Sequence, residues 1–419
     1  MDVRHCGTVA DQPALVRRLG VTDAVMLGLG SMLGAGVFAV FGPAAAVTGS
    51  GLLVALLVAA AVAYANATSS ARLAAVHPRS GGTYVYGRRC LGDGWGFLAG
   101  WAFVVGKTAS CAAMALTLGA HAWPDQARPV AAGAIVVFTA INHFGVSKTA
   151  GLTRVLVVLT LAALATVVVT VAVRPGTSPA RLTDWFPHGP LGVLQAAGLM
   201  FFAFAGYARI ATLGEEVRDP ARTIPRAIPR ALGVVVVVYA VVGAAALAAV
   251  GPDALARSVA PLATAVGQDS PVAVVVRIGG AIAAGGVLVS LLAGVGRTVL
   301  AMARDRELPA VLAAVHPRYR IPYRAELVLG VLAVALVLLF DPAEAIGFSS
   351  FAVLVYYAIT NAAALTLGTG PRRVRVLAVA GLAGCLVLAF TLPPIGVLVA
   401  VAALAVGPLG RGIVRLHRR

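Results

Sequence analysis

The chain has 419 residues, of which 60% are hydrophobic and only 12% are charged, and its mean hydropathy is +0.92. So few charged residues cannot cover the surface of a soluble protein of this length, and the composition therefore excludes a soluble globular protein. The net charge of +17 would suit a nucleic-acid-binding protein, but the basic residues are not interleaved with the aromatic residues that such a face uses. The composition predicts one bundle of helices in a lipid bilayer, with no nucleic-acid partner.

Apolar segments recur along the chain at about the 20-residue length that a helix needs to cross roughly 30 Å of hydrocarbon. The first 21 residues are polar and charged, unlike a cleavable signal peptide, and residues 411–419 are predicted to form a basic tail. Between them we predict about twelve membrane-spanning helices, at residues 22–46, 51–75, 95–122, 128–143, 153–173, 190–214, 230–250, 271–302, 325–340, 345–368, 373–391 and 394–410.

Lys and Arg residues are distributed unevenly between the two sides of this predicted bundle. Of the 33, 26 lie in segments on the side that holds both termini, 5 lie near the other side and 2 lie within the membrane. Cytoplasmic segments of membrane proteins carry an excess of Lys and Arg. Both termini are therefore predicted to be cytoplasmic, in a multi-pass protein of the plasma membrane.

Glycine residues crowd the middle of the first span, at Gly28, Gly30, Gly34 and Gly36. Glycine in a helix interior costs about 1 kcal/mol relative to alanine, so two explanations compete. Small residues let a neighbouring helix approach closely, which fits Gly28 and Gly30 better. A broken helix exposes backbone N–H and C=O groups to a ligand, which fits the Gly-Ala-Gly triplet at 34–36 better.

Small residues also interrupt the sixth span, from Ala203 to Gly206, after Phe201 and Phe202. An inverted repeat of five plus five helices places broken segments at its first and sixth positions. The N-terminal ends of half-helices attract a carboxylate, whereas unwound carbonyl groups attract an ammonium. An amino acid carries both groups on one carbon, so the predicted site suits the amino acid backbone.

Four stretches of the chain resemble the amino acid–polyamine–organocation superfamily, near its bacterial amino acid permeases and cationic-amino-acid-transporter-like members. They are GLGSMLGAGVFAVFGPAAA, SGGTYVYGRRCLGDGWGFLAGW, FFAFAGYARIATLGEEVRDPARTIPRAI and RTVLAMARDRELP. The resemblance implies an all-α integral membrane protein with a five-plus-five inverted-repeat core, discontinuous first and sixth helices and two C-terminal helices. The first repeat is expected at 22–173, the second at 190–368 and the last two helices at 373–410.

The resemblance also implies which groups bind the substrate, mainly through the backbone. The carboxylate-binding backbone falls on Gly34, Ala35 and Gly36. The ammonium-binding carbonyls fall on Met32, Phe202 and Ala205. Phe202 is further expected to cover the substrate, beside Ala203, and Gly206 is expected to leave room for the substrate side chain.

Two positively charged residues are predicted inside the membrane, where charges are costly and are functional by default. Lys107, in the third span, either packs as a satisfied lysine or has a functional role, in which it lines the substrate pocket or carries a proton. Arg209 lies just beyond the break in the sixth span. Its structural explanation is pairing with Glu215, Glu216 or a carbonyl group.

The coupling ion is left open between a proton and sodium. Many proton-coupled members of the superfamily keep a lysine in the fifth span, at the position that Thr160 occupies here. The resemblance therefore leaves Lys107 as the first candidate for the coupling residue. Ser290 and Thr298, in the eighth span, are hydroxyl candidates for a sodium site.

All sixteen acidic residues fall in links or near segment ends. A pocket for polyamines or for cationic side chains would need a carboxylate, so we expect a neutral amino acid as substrate, and an acidic one second. No nucleophile–base pair appears inside the membrane, and neither an enzyme activity nor a cofactor or metal is expected.

The sequence therefore predicts a secondary active amino acid transporter that alternates access to a midplane site between its first and sixth helices. One alternative is a membrane sensor that binds an amino acid without moving it. Another is a transporter of a different amine or organic acid on the same fold.

Overall fold

The computed structural model describes residues 19–34, 36–77, 81–144, 150–183, 186–211, 217–368 and 371–416. Within these ranges the regular elements are α-helices and short 3-10 turns. Residues 1–18 and 417–419 of the two predicted terminal segments lie outside the described part of the chain.

The first half of the chain contains the helices α1 (Val21–Met32), α2 (Gly36–Ala39), α3 (Phe41–Thr48), α4 (Leu52–Val76), α5 (Thr83–Cys90), α6 (Asp93–Ala122), α7 (Ala127–His143) and α8 (Ala150–Val173). The second half contains α9 (Gly189–Phe204), α10 (Ala208–Ala211), α11 (Pro220–Ala256), α12 (Pro261–Val266), α13 (Pro271–Arg304), α14 (Tyr323–Leu339), α15 (Pro342–Thr366), α16 (Arg372–Thr391) and α17 (Pro394–Leu416). Each predicted span corresponds to one of these helices or to consecutive helices across a break.

Ten helical stretches among the described residues are long and apolar enough to cross a membrane. The predicted fourth and ninth spans, at 128–143 and 325–340, form α7 and α14, which have 17 residues each and are shorter than those ten. The all-helical membrane architecture is therefore confirmed, whereas the number twelve is not. The repeat boundaries at 22–173 and 190–368 stay a prediction.

The middle of the bundle is formed by α6 and α15, which pack against each other. The apolar stretches of both helices are 83% buried, against 28% for α16 and 11% for α17. Large apolar side chains on the outer helices, such as Val237 and Ile395, are exposed, and a bilayer covers such surfaces. The last two helices therefore lie at the periphery of the bundle.

Both predicted breaks are present, although the second begins at Ala205 rather than at Ala203, which still belongs to the preceding helix. α1 ends at Met32, where the N–H of Leu33 still bonds to the Leu29 carbonyl at 2.7 Å, and the chain becomes helical again at Gly36. α9 ends at Phe204, and a 3-10 turn over Ala205–Tyr207 leads into the short helix α10. These interruptions release backbone groups from helical hydrogen bonding in the interior of the bundle.

Candidate functional site

A cavity of about 470 Å³ lies beside the two breaks. Its wall is built by α1, α2, α5, α6, α8, α9, α10, α13, α15 and the turn after α9. It is lined by all of the predicted substrate and coupling residues that the structure describes, namely Met32, Gly34, Gly36, Lys107, Thr160, Phe202, Ala203, Ala205, Gly206 and Ser290. The remaining one, Ala35, lies outside the described residues. The structure thus brings the predicted residues together, while their roles stay predictions.

The two breaks contact each other through their backbones. A Cβ atom added to Gly36 would lie 2.8 Å from both the Cα and the Cβ of Ala203. A Cβ added to Gly206 would collide with the carbonyl oxygen of Ser31 and would lie 2.8 Å from the Met32 nitrogen. Glycine at these positions is therefore required by the close approach of the two interrupted segments.

The other two glycines of the first span serve helix packing. A Cβ added to Gly28 would lie 2.8 Å from the Cγ1 of Ile210, in α10. A Cβ added to Gly30 would lie 2.8 Å from the Cγ2 of Thr153, in α8. The packing explanation therefore holds for Gly28 and Gly30, and the helix is interrupted at the Gly-Ala-Gly triplet. That the released backbone groups bind a ligand stays a prediction.

Two tyrosine hydroxyls donate to carbonyl groups that the breaks release. The fully buried Tyr239, in α11, donates to the Met32 carbonyl at 2.5 Å, and its hydroxyl lies 3.3 Å from the Ala203 carbonyl oxygen. Tyr357, in α15, donates to the Ala205 carbonyl at 3.4 Å. Each carbonyl oxygen has two lone pairs, so both carbonyls keep acceptor capacity for a ligand. No local sequence pattern indicates these contacts, because 207 and 152 residues separate the partners.

Lys107 lies in the cavity wall with an exposed fraction of only 8%. None of the hydrogen bonds or ion pairs among the described residues involves its side chain. An unpaired buried ammonium costs several kcal/mol, so the explanation as a satisfied packing lysine finds no support. One turn further along α6, the Ser110 hydroxyl lies 2.7 Å from the Ser349 hydroxyl, and it also lines the cavity.

The hydroxyl candidates for ion coupling donate to carbonyls of their own helices. Thr160 donates to the Leu156 carbonyl at 2.8 Å, and Ser290 donates to the Gly286 carbonyl at 3.3 Å. The hydroxyl oxygens keep lone pairs that can accept a hydrogen bond or coordinate a cation. Among the described residues there is no group of three or more His, Cys, Asp or Glu side chains that could hold a metal ion.

The cavity has exposed lining residues at the end of the bundle that is predicted to be cytoplasmic. They are Gly81, Arg209 and Arg297. The predicted partners of Arg209, Glu215 and Glu216, lie outside the described residues. No Asp or Glu occurs among the described residues that line the cavity, so its charged lining groups are cationic.

A hydrogen-bonded network borders the same end of the cavity. Tyr84, a lining residue in α5, donates to the Asp305 carboxylate at 2.6 Å. Arg88 donates to Asp305 at 2.8 Å and to the Asp93 carboxylate at 3.1 Å. Burial, followed by the hydrogen bond to Asp305, raises the pKa of Tyr84, so its hydroxyl stays protonated and remains a donor. The network joins α5 to the start of α6 and the end of α13.

A lipid-embedded bundle in which two broken helices meet at an internal cavity is the architecture of secondary transporters. The amino acid permease family model matches residues 19–410. The chain belongs to the amino acid permease family, within the amino acid–polyamine–organocation superfamily. It is therefore a transporter, which is not an enzyme in the usual sense.

Relatives along most of the chain carry transporter names. An uncharacterized transporter of Mycobacterium tuberculosis is 59% identical over 97% of this chain and 93% of its own length. A branched-chain amino acid permease of Bacillus subtilis is 27% identical over 75% of this chain and 73% of its own. The vacuolar cationic amino acid transporter 4 of Arabidopsis thaliana is 28% identical over 84% of this chain and 63% of its own. The last two names refer to different side-chain classes, so side-chain selection has to be argued from this chain's own residues.

Proposed function

We propose that this chain is a secondary active transporter of neutral amino acids that alternates access to the cavity between its broken helices. The carrying observation is the set of released backbone groups at both breaks, gathered around a cavity whose described lining contains no carboxylate. The distribution of Lys and Arg further supports a plasma-membrane protein with both termini in the cytoplasm.

Recognition of the amino acid backbone is assigned to the two breaks. The N–H groups around Gly34 and Gly36 would receive the substrate carboxylate, and the carbonyls of Met32 and Ala205 would receive its ammonium. Both carbonyls already accept a hydrogen bond from a tyrosine. The ammonium would therefore use their second lone pairs or compete with the tyrosine hydroxyls.

Side-chain selection follows from the charge of the lining. Lys107, Arg209 and Arg297 are cationic and line the cavity, so a lysine or arginine side chain would meet like charges and no counter-ion there. A neutral side chain avoids this repulsion. An acidic amino acid is the second candidate, because its carboxylate would supply a partner for the Lys107 ammonium.

The proposed coupling ion is a proton, carried by Lys107. Because burial without a partner disfavours the ammonium form, this side chain would gain and lose its proton as the cavity is exposed to water and closed again. The alternative is a sodium ion held by hydroxyl oxygens such as those of Thr160 and Ser290.

Uptake of labelled amino acids into proteoliposomes tests the function. We expect neutral amino acids to accumulate when the outside is more acidic than the inside, and arginine and putrescine to compete poorly. Binding without flux would instead make the chain a sensor. Competition by arginine or putrescine stronger than that of neutral amino acids would overturn the assigned substrate class.

A Lys107→Met variant tests the coupling. We expect it to bind amino acids but to lose the acceleration of uptake by a pH gradient, because methionine fills the same space without a titratable group. Arg257→Gln, which removes an exposed charge distant in sequence from the breaks, is the control and should behave like the unmodified protein. An unchanged pH response in Lys107→Met would refute the role of Lys107 and would leave substrate transport itself standing.

A further inference from the structure

Glu326 is a buried carboxyl group in the first turn of α14. Its exposed fraction is 4%. Its Oε2 atom is buried and has no hydrogen-bond partner among the described residues, and none of the ion pairs within that part of the chain includes Glu326. In the sequence, Glu326 lies near the end of a predicted span, and no role was predicted for it.

The carboxyl group packs against a glycine of α13 that separates it from the cavity wall. A Cβ added to Gly296 would lie 2.8 Å from the Cγ of Glu326 and 3.5 Å from its Oε1. The residues on either side of this glycine, Val295 and Arg297, both line the cavity. Glu326 thus lies directly behind the cavity wall, next to the exposed, predicted cytoplasmic end of the cavity where Arg209 and Arg297 lie. We call this end the inner mouth.

Among the described residues, charged and titratable groups lie near Glu326 on α13, on α14 itself, on α7 and in the segment before α14. Arg297, on α13, is the cation whose charge acts on the carboxyl group. On α14 itself, the Nε of Arg324 donates to the Tyr323 hydroxyl at 2.9 Å. The rings of His143, on the neighbouring α7, and of His316, in the segment before α14, pack against Tyr323, with ring centroids 6.2 Å and 5.7 Å away. Arg297 is therefore the partner that an ionised Glu326 would use.

The protonation state of Glu326 depends on the position of Arg297. An ionised carboxylate that is buried without hydrogen bonds or a counter-ion costs several kcal/mol, so Glu326 holds a proton in the arrangement seen here, with Arg297 exposed at the mouth. After the proton leaves, the carboxylate needs the guanidinium. Because Gly296 has no side chain, the carboxyl group packs directly on the surface of α13 beside the residue that carries the guanidinium. A rotation of the Arg297 side chain toward α14 is the movement that would pair the two groups.

We propose that Glu326 and Arg297 form a proton-binding site that controls the inner mouth of the cavity. With Glu326 protonated, Arg297 stays at the mouth; when Glu326 releases its proton to water, Arg297 leaves the mouth and pairs with the carboxylate. The only covalent change is the exchange of one O–H proton with water. The site deepens the proposed proton-coupled transport, on which it rests, and it is separate from Lys107 at the substrate.

The dependence of transport on internal pH tests the site. The protein is placed in proteoliposomes with the mouth facing inward. The amide of Glu326→Gln is neutral at every pH and therefore mimics the protonated carboxyl group. We expect this variant to lose the internal-pH dependence that the unmodified protein shows, and to retain amino acid binding. Arg297→Gln should lose that dependence as well. Asp253→Asn, which neutralises an exposed carboxylate, is the matched control and should retain it.

Infrared difference spectroscopy supplies a readout that does not require flux. A pH jump on the unmodified protein in detergent should reveal the carbonyl stretch of a protonated carboxylic acid, and Glu326→Gln should remove this band. If Glu326→Gln keeps both the band and the pH profile of transport, the proposed site is wrong. If the unmodified protein transports no amino acid and the band is still lost in Glu326→Gln, the proton site stands and the proposed substrate fails.

Discussion

Two buried cationic side chains of this protein differ in whether they have a partner. Arg411, in α17, holds Glu307, in the turn after α13, through two hydrogen bonds of 2.6 Å, and the two side chains are only 11% and 7% exposed. The guanidinium also lies 4.8 Å from the centroid of the Phe97 ring, in α6. Lys107 is equally buried in the cavity wall, yet no counter-ion for it exists among the described residues.

The difference distinguishes a structural contact that holds a helix in place from a charge that is available for transport. α17 is the least buried of the ten long apolar stretches, so it depends on a few strong contacts with the core. The Trp101 indole, for example, donates to the Ala403 carbonyl at 3.0 Å. The paired Arg411 fastens the end of this helix to α6 and α13. The unpaired charge in the cavity is available to a substrate or a proton, which is what a transport site requires.

Breaking the anchor should have the largest effect. We expect Arg411→Gln to lower the free energy of unfolding by about 3–5 kcal/mol, because it removes the guanidinium that makes two hydrogen bonds with the buried Glu307 carboxylate. Thermal unfolding in detergent measures the loss. A melting temperature equal to that of the unmodified protein would mean that this ion pair contributes no more to stability than an exposed one. The contrast with Lys107 would then disappear.

A double variant distinguishes the loss of one charge of the pair from the loss of both. Arg411→Met combined with Glu307→Leu removes both charges and keeps apolar volume between α17 and α13. It should be considerably more stable than Arg411→Gln, because a buried ion pair can often be replaced by apolar side chains without loss. Equal instability of the two variants would show that packing, rather than the loss of the guanidinium beside the carboxylate, causes the defect.

The two broken segments beside Lys107 pack closely against each other through their backbones, even though the Lys107 charge is unpaired among the described residues. We expect Gly206→Ala to cost about 1–3 kcal/mol of stability, because the added methyl group collides with the Ser31 carbonyl and forces the two breaks apart. Gly294→Ala is the matched control: this glycine also lines the cavity, and a Cβ there would have no neighbour within 4 Å.

The control should gain stability, since alanine is about 1 kcal/mol better than glycine inside a helix. Melting curves and amino acid binding measured on both variants decide the matter. If Gly206→Ala is as stable as Gly294→Ala, the contact between the broken segments is loose, and the geometry assigned to the substrate backbone loses its support.

The sequence predicted most of this architecture because hydropathy and glycine content are local signals. The positions of the spans and of the two breaks could be read from single segments, although the second break begins at Ala205 and not at Ala203. A place for Lys107 in the cavity wall was implied by the family resemblance, beside the alternative of a packing role. The contacts that complete the picture join distant parts of the chain. Arg411 was assigned to a basic tail, although its guanidinium reaches a residue 104 positions away. Pairings of this kind depend on how the helices pack, and no local pattern encodes them.

The same lesson applies to Glu326. An acidic residue in the first turn of a helix is ordinarily exposed and stabilised by the helix dipole, so its position in the sequence suggested nothing unusual. The carboxyl group is buried by the packing of α14 against its neighbours, with Gly296 of α13 in direct contact with it. The sequence of α14 alone does not reveal this packing. Burial without a partner, rather than residue type or position, distinguishes both Glu326 and Lys107 from the paired Arg411.

The smallest expected effect concerns Tyr239, whose hydroxyl stands between the two breaks. Tyr239→Phe removes the donor to the Met32 carbonyl and should cost about 1 kcal/mol of stability in the absence of substrate. Tyr64→Phe, at an exposed tyrosine of α4, is the control and should cost less. If the substrate ammonium binds the Met32 carbonyl, saturating amino acid should reduce the loss, because the ammonium then satisfies the carbonyl that the variant leaves without a donor. An amino acid that increased the difference would mean that the Tyr239 hydroxyl contributes to the bound state itself, and the ammonium would have to be assigned to other carbonyls of the breaks.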